Sequence, residues 1–297
     1  MYNKLIIILG PTASGKSDLA IELAKKFKGE IVSADSRQIY QEMDIGTAKI
    51  TKKQMANIPH YLIDIIKPNQ EFTLAQFKTK AVKIIKNIQK KNKLPFLVGG
   101  TMLYIQSIVD NLQIPQIKPD KKLREQLENK TNQELYDQLE KIDPKALEVI
   151  DINNQRRLIR ALEVCLKTKR PFSQQKKKGQ PLFNILQLGL NPSQKILDKR
   201  INQRIEKMIE AGLSKEVEGL IKKYGVKPYS LSGISYQEII QYLNKEITLE
   251  QAKDLIKIHT RQYARRQMSW FKRDKRIHWI ENYSQAEKII KSFLIFL

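Results

Sequence analysis

The stretch ILGPTASGKSDLA, residues 8–20, decides how the rest of this chain is read. Gly10 to Ser17 fit G-x-x-x-x-G-K-[ST], a glycine-rich loop whose backbone amides cradle phosphates. Before it, Lys4 to Leu9 is an apolar, β-rich run. After it, Ser17 to Lys26 carries Leu19, Ala20, Leu23 and Ala24 at helical spacing on one side, continued by Phe27. Strand, loop and helix thus follow in the order the motif requires. The amides from Thr12 to Ser17, together with the helix N-terminus, are expected to form the anion cradle. Gly10, Pro11, Thr12, Ala13, Ser14, Gly15, Lys16 and Ser17 are the candidate phosphate-binding residues. Lys16 is placed to reach across terminal phosphates and Ser17 to ligate Mg²⁺. By itself the motif leaves open whether the phosphate belongs to ATP or to another phosphorylated molecule.

Further along, Glu30 to Ser33, Tyr61 to Ile66 and Leu94 to Val98 read as strands, and Leu74 to Gln89 has helical periodicity. Alternating strands and helices predict an α/β fold with a doubly wound parallel sheet, whose ligands collect beyond the carboxyl ends of the strands. Asp35 follows the second strand, so its carboxylate would face the phosphate cradle. There it could accept a nucleophile's proton, or it could serve as an Asx-turn or helix cap. Asp44 and Asp64 are competing carboxylates, and Asp64 could sit near a Mg²⁺. Gly99-Gly100-Thr101 also leaves a strand toward the crevice. Its hydroxyl could bond a phosphate or a base, or could cap a tight turn.

From Pro115 to Pro181 strand signals vanish. Helical segments over Asp120–Glu128, Thr131–Lys141, Pro144–Ile150 and Asn153–Thr168 run into a basic, breaker-rich linker, Lys169 to Pro181. Phe183 to Leu190 then returns as a strand. The expected organisation is a phosphate-loop core over 1–114, an all-helical insertion over 115–181, and the second part of the core over 182–297. In that last part helices span Ile196–Ala211, Lys215–Lys223 and Ile247–Arg266, with Gly212 as a cap. Tyr263, Trp270 and Phe271 lie among Arg261, Arg265, Arg266, Lys272 and Arg273. The arginines suit nucleic-acid contact, whereas Trp270 suits the core.

Composition narrows the class. The 297 residues hold 54 Lys plus Arg against 31 Asp plus Glu, a net charge of +23, which points first to a polyanionic partner such as nucleic acid. A lysine-rich, merely solvated surface is the plainer explanation. One cysteine, Cys165, excludes an intrachain disulfide and reads as a buried structural thiol in a reducing compartment. Three histidines without metal-site spacing argue against structural zinc. The apolar run at Leu5–Leu9 is too short to span a bilayer. A cytoplasmic protein without membrane attachment is expected.

Taken together, several segments resemble the tRNA dimethylallyltransferases, also called isopentenyl-diphosphate:tRNA transferases. These are GPTASGKS, IVSADSRQIYQEMDIGTAK (Ile31–Lys49), PHYLID (Pro59–Asp64), LVGGTMLY (Leu97–Tyr104), NNQRRLIRALEV (Asn153–Val164), RINQRIEKMIEAGLSKEV (Arg200–Val217) and TRQYARRQMSWF (Thr260–Phe271). They lie in order and cover almost the whole chain. Differences from the family pattern are Met102 after Gly-Gly-Thr, Ile50 after Thr-Ala-Lys, Tyr61 in place of histidine, and Ser235-Tyr236-Gln237-Glu238.

The resemblance implies transfer of a dimethylallyl group from dimethylallyl diphosphate to N6 of adenosine-37, in tRNAs reading codons that begin with U. The phosphate loop with Lys16 and Mg²⁺ would then hold a departing diphosphate, clamped by Arg204 and Arg200. Asp35 would act as base and Thr101 would assist at the diphosphate or the nucleotide. The resemblance also assigns tRNA contact to Asp35, Ser36, Arg37 and Gln38, to Thr101, to Gln155, Arg156, Arg157, Leu158 and Ile159, and to Arg124. The partners implied are the tRNA anticodon stem-loop and dimethylallyl diphosphate, with the protein as a monomer. A phosphate-loop kinase or ATPase is the competing reading of the residues alone, and a non-catalytic RNA-binding protein is a third.

Overall fold

A computed structural model describes residues 3–115, 117, 120–175, 177–226 and 228–295. Lys176, within the basic linker, lies outside them. Contacts divide the chain into two compact units, Met1–Val109 with Leu182–Leu297, and Asp110–Pro181. The boundary placed at residue 115 from the sequence thus falls inside the second unit.

The first unit is built on β1 (Lys4–Leu9), β2 (Gly29–Ala34), β3 (His60–Tyr61), β4 (Leu94–Gly99), β5 (Asn184–Leu190) and β6 (Ile277–Ile280). They form one sheet in the order β3-β2-β4-β1-β5-β6, and every pairing is parallel. β1 lies near the middle, so both of its faces are covered. Leu5, Ile7 and Leu9 enter one core layer, while Ile6 and Ile8 enter the other. All five are 0% exposed. Burying each such side chain contributes about 1.5–3 kcal/mol, which explains why this strand reads as an unbroken apolar run.

Helices α1 (Lys16–Lys26), α2 (Leu74–Lys90) and α3 (Met102–Val109) are the crossovers of this unit's first part. Thr73 and Gln76 start α2 with a reciprocal capping box. Of the expected strand over Tyr61–Ile66 only Tyr61 is in the ladder, as the second residue of β3. Leu62 and Asp64 adopt left-handed φ of 63° and 55°, which breaks the ladder.

The second unit holds α4 (Lys121–Glu128), α5 (Asn132–Ile142), α6 (Gln155–Thr168) and the short α7 (Phe172–Gln175), with a 3₁₀ turn at Pro144–Glu148. Leu127, Leu135, Leu139, Leu158, Ile159 and Leu162 form its core. Cys165 is buried in that core as the expected structural thiol. The side chain of Glu163 is fully buried, and its carboxylate accepts bonds from Arg124 Nε and Nη2 at 2.9 Å each, from the Asp120 amide at 2.8 Å, and from Arg160. Burial pushes the Glu163 carboxyl up, but these donors outweigh it and leave it below the usual carboxylate range. Its stabilisation is therefore present at neutral pH and lost as pH falls through that lowered value. Arg124→Ala removes two of the charged donors. The full chain should lose about 1–3 kcal/mol in urea unfolding, with the loss concentrated in this unit by hydrogen exchange.

The chain then returns to the first unit with α8 (Gln194–Glu210), α9 (Leu213–Tyr224), α10 (Tyr236–Leu243), α11 (Leu249–Phe271) and α12 (Tyr283–Ile295). Gly212, at φ 93°, makes the left-handed step between α8 and α9. Trp270 packs against the sheet's core, as expected of it. Among the described residues, no helix is long and apolar enough to cross a membrane.

Candidate active site

The register of the sheet explains why three distant loops meet. Gly99 at the end of β4 lies between Leu9 at the end of β1 and Ala34 at the end of β2. The phosphate loop, the Asp35 loop and the Gly100-Thr101 turn therefore leave adjacent strands at one level. That is the crevice at the carboxyl ends where α/β sheets take their ligands.

Gly15, at φ 90°, turns the phosphate loop into α1 through a conformation that disfavours a side chain. Lys16 Nζ donates to the Pro11 carbonyl at 3.1 Å. Two of the amides expected in the cradle are committed within the protein: Thr12 N–H donates to Gln267 Oε1 at 2.8 Å, and Ser14 N–H donates to the Pro11 carbonyl at 3.2 Å. The cradle for an anion is thus narrower than Thr12–Ser17. From α8, Arg200 Nη1 donates to the Ser14 carbonyl at 2.9 Å, and Arg204 Nη1 reaches Thr12 Oγ1 at 3.4 Å. One turn of helix separates these guanidinium groups, which places both over the loop.

Asp35 uses Oδ1 to accept from the amides of Arg37 at 2.8 Å and Gln38 at 3.3 Å. It therefore does build an Asx-type turn. Oδ2 takes part in neither bond, and the carboxylate's charge is felt at Lys16, Arg204, Tyr104 and Tyr263. Desolvation pulls the Lys16 ammonium down to about 8, Asp35 opposes the fall, and Arg204 adds to it. Burial also pulls Arg204 down, against the charges of Asp18 and Asp35. Cations held with so little solvation suit a multiply charged anion that would complete their surroundings.

Thr101 Oγ1 accepts from the Ser36 amide at 2.9 Å and donates to Ser36 Oγ at 3.3 Å, tying the second loop to the third. Tyr263, on α11, places its phenol beside Thr101. Burial and then the Asp35 charge push its phenol up to about 12, so it stays neutral. Arg37 Nη1 donates to the carbonyls of Tyr229 and Ser230 at 3.0 Å each, and its guanidinium lies 4.9 Å from the Tyr229 ring centre. Gln38 Nε2 donates to the Ala48 carbonyl at 3.2 Å. The competing carboxylates have another use, because Lys49 bridges Asp44 and Asp64. Ser17 is exposed at the loop's end.

In the helical unit, Arg156 and Arg157 are exposed in the first turn of α6, and Gln155 donates to the Lys130 carbonyl at 3.1 Å. Leu158 and Ile159 follow them on the inner face of α6. At 0% and 5% exposed they face the unit's core, so their side chains pack instead of reaching outward for tRNA. Arg124 is engaged by Glu163.

Sequence reasoning left Tyr263 and Gln267 without a role at the site. Tyr263 and Gln267 are four residues apart, hence on one face of α11, and that spacing was the available signal.

Comparison with known proteins agrees with this geometry. A family model described as IPP transferase matches residues 38–274. A tRNA dimethylallyltransferase of Acetivibrio thermocellus is 44% identical over 305 residues, covering 99% of this chain and 97% of the relative. One from Gloeothece citriformis is 47% identical over 281 residues, covering 95% and 92%. Among solved structures, the tRNA isopentenylpyrophosphate transferase of Bacillus halodurans superposes with a TM-score of 0.74 at 38% identity, covering 98% of this chain and 95% of that one. A eukaryotic dimethylallyltransferase solved acting on tRNA gives 0.81 at 29% identity, covering 99% and 78%. With phosphate loop, crevice carboxylate and paired arginines on one sheet edge and such relatives along its whole length, the chain belongs to the tRNA dimethylallyltransferase, or IPP transferase, family.

Proposed function

We propose that this enzyme transfers the dimethylallyl group of dimethylallyl diphosphate to N6 of adenosine-37 in tRNAs that read codons beginning with U, releasing diphosphate. The carrying observation is the convergence of Lys16 and Arg204 on the phosphate loop, with the Asp35 carboxylate within their field. The loop, Lys16, Arg200 and Arg204 bind the diphosphate and stabilise the charge that grows on it as the allylic C–O bond breaks. The N6 amine is a weak nucleophile because its lone pair is delocalised into the ring. Asp35 takes its proton as the C–N bond forms. Thr101, held by Ser36, orients the diphosphate or the incoming nucleotide.

A magnesium ion fits the donor set as a passenger of the diphosphate. Ser17 offers one hydroxyl, and among the described residues no cluster of three His, Cys, Asp or Glu builds a dedicated cage. When bound it would supply further charge neutralisation to the leaving group. Asp35, Ser36, Arg37, Gln38 and Thr101 form the tRNA side of the crevice. Arg124, Gln155, Arg156 and Arg157 are assigned to the anticodon stem-loop, and the adenine is flipped out of that loop to reach Asp35. The enzyme acts as a cytoplasmic monomer.

Incubation of the protein with tRNA, dimethylallyl diphosphate and Mg²⁺, followed by mass analysis of the nucleosides, should yield N6-(dimethylallyl)adenosine without any nucleoside triphosphate. Modification that requires ATP would refute the reading. A pH profile gives a second test. Lys16 holds its proton below about pH 8 and loses it above. The value of kcat/KM for dimethylallyl diphosphate should fall as pH rises through about 8, whereas kcat at saturation should fall only at higher pH, because the bound anion retains the proton.

A further inference from the structure

Gln267 sits on α11, 2% exposed, far in sequence from every loop of the crevice. Both ends of its amide are used. Oε1 accepts from the Thr12 amide at 2.8 Å, and Nε2 donates to the Gly100 carbonyl at 2.8 Å. The side chain thus bridges the phosphate loop and the turn that carries Thr101. The turn is shaped around it, since a Cβ on Gly100 would lie 2.3 Å from Gln267 Nε2. From Gly100 the connection continues locally: the Thr101 amide donates to the Ala34 carbonyl at 3.2 Å, and the Thr101 hydroxyl receives the Ser36 amide. One turn before Gln267, Tyr263 reaches Thr101 from the same face of the helix. Earlier on α11, Arg261 bonds Asp198 at 3.1 Å and Asn202 at 2.7 Å on α8, the helix that carries Arg200 and Arg204.

We propose that Gln267 is a positioning residue, which holds the diphosphate-binding loop and the Thr101–Asp35 loops at the spacing that transfer requires. This rests on the prenyl-transfer reading for its effect on turnover, but not for its effect on anion binding. No other neutral side chain supplies an acceptor and a donor at this span. Methionine matches the length without either bond, leaving the Thr12 amide and the Gly100 carbonyl to shift. Glutamate keeps the acceptor but sets an anionic oxygen against the Gly100 carbonyl. A displacement of about 1 Å between reacting groups can lower turnover about 10²-fold.

The test compares Gln267→Met, Gln267→Glu and Gly100→Ala with wild type and with Ile85→Val, a buried core change remote from the crevice. Thermal unfolding, inorganic pyrophosphate titration, and kcat and KM for dimethylallyl transfer are read for each. Both Gln267 variants should lose at least tenfold in kcat and bind pyrophosphate more weakly, whereas Ile85→Val should lower only the unfolding temperature. Gly100→Ala leaves every core side chain in place and strains the same bridge from the other side, so it tests the idea even if a Gln267 variant fails to fold. Combined with Gln267→Met it should add little, because the bridge is already broken. Fully additive losses, or Gln267→Met with kcat, KM and pyrophosphate affinity within twofold of wild type, would overturn the proposal. Wild-type protein that transfers nothing would refute the prenyl-transfer reading instead, and the pyrophosphate titrations would still decide whether Gln267 orders the loop.

Discussion

Asp35→Asn should lower dimethylallyl transfer by about 10²–10⁴-fold while tRNA affinity stays within a few-fold of wild type. Asparagine is the informative replacement because the proposed base role of Asp35 is separable from its part in the turn. Oδ1 accepts from the Arg37 and Gln38 amides, and an asparagine oxygen can do the same, so the loop keeps its turn. What is lost is the charge and the capacity to take the N6 proton. Asp35→Ala would remove both and confuse loop collapse with loss of the base. A second readout comes from Lys16, whose ammonium Asp35 helps to keep protonated. Without that carboxylate, the alkaline limb of kcat/KM should move below pH 8. Single-turnover transfer measures the first effect, and filter binding of tRNA provides the control. Turnover within tenfold of wild type would assign the base elsewhere; lost tRNA binding would make Asp35 a docking residue.

The same residues show why part of this site is legible in the sequence. The phosphate loop, Asp35 and Thr101 each follow a strand directly, so a strand-then-loop reading carries them to the crevice, and the register Leu9–Gly99–Ala34 does the rest. Arg200 and Arg204 were legible as a pair from their spacing on α8. Tyr263 and Gln267 were not, because their role depends on where α11 docks, and nothing local encodes that. A buried glutamine in a basic, aromatic stretch reads as ordinary helix surface until its two partners are seen. Leu158 and Ile159 are a different case. They lie inside a stretch matched as a unit, whereas helical periodicity turns them inward and leaves Arg156 and Arg157 outside. β6 escaped notice as well. It has only four residues, and just its two end positions, Ile277 and Ile280, are buried.

Lys16→Met should lower kcat by about 10²–10³-fold and also raise the temperature of unfolding at pH 7. The first effect follows from the proposed role of the ammonium in neutralising the leaving diphosphate, a role Arg200 and Arg204 would fill only in part because each also holds the loop. The second follows from the lowered value of about 8. A lysine in the unfolded chain titrates at about 10.5, so between about pH 8 and 10.5 the unfolded chain binds more protons than the folded one. Stability from this group therefore rises with pH across that window, and below it the folded state bears the full cost of a poorly solvated charge. Methionine removes that cost. The Pro11 carbonyl keeps the Ser14 amide as a donor, so no acceptor is stranded. The stability gain should shrink as pH rises from 8 toward 10.5, and saturating inorganic pyrophosphate should stabilise wild type far more than the variant. A variant less stable than wild type at pH 7, or one whose kcat/KM still declines through pH 8, would mean that the ammonium is not the strained cation of this loop. The first unit thus accepts a destabilising charge at Lys16, the trade expected of a site proposed to take a charged ligand.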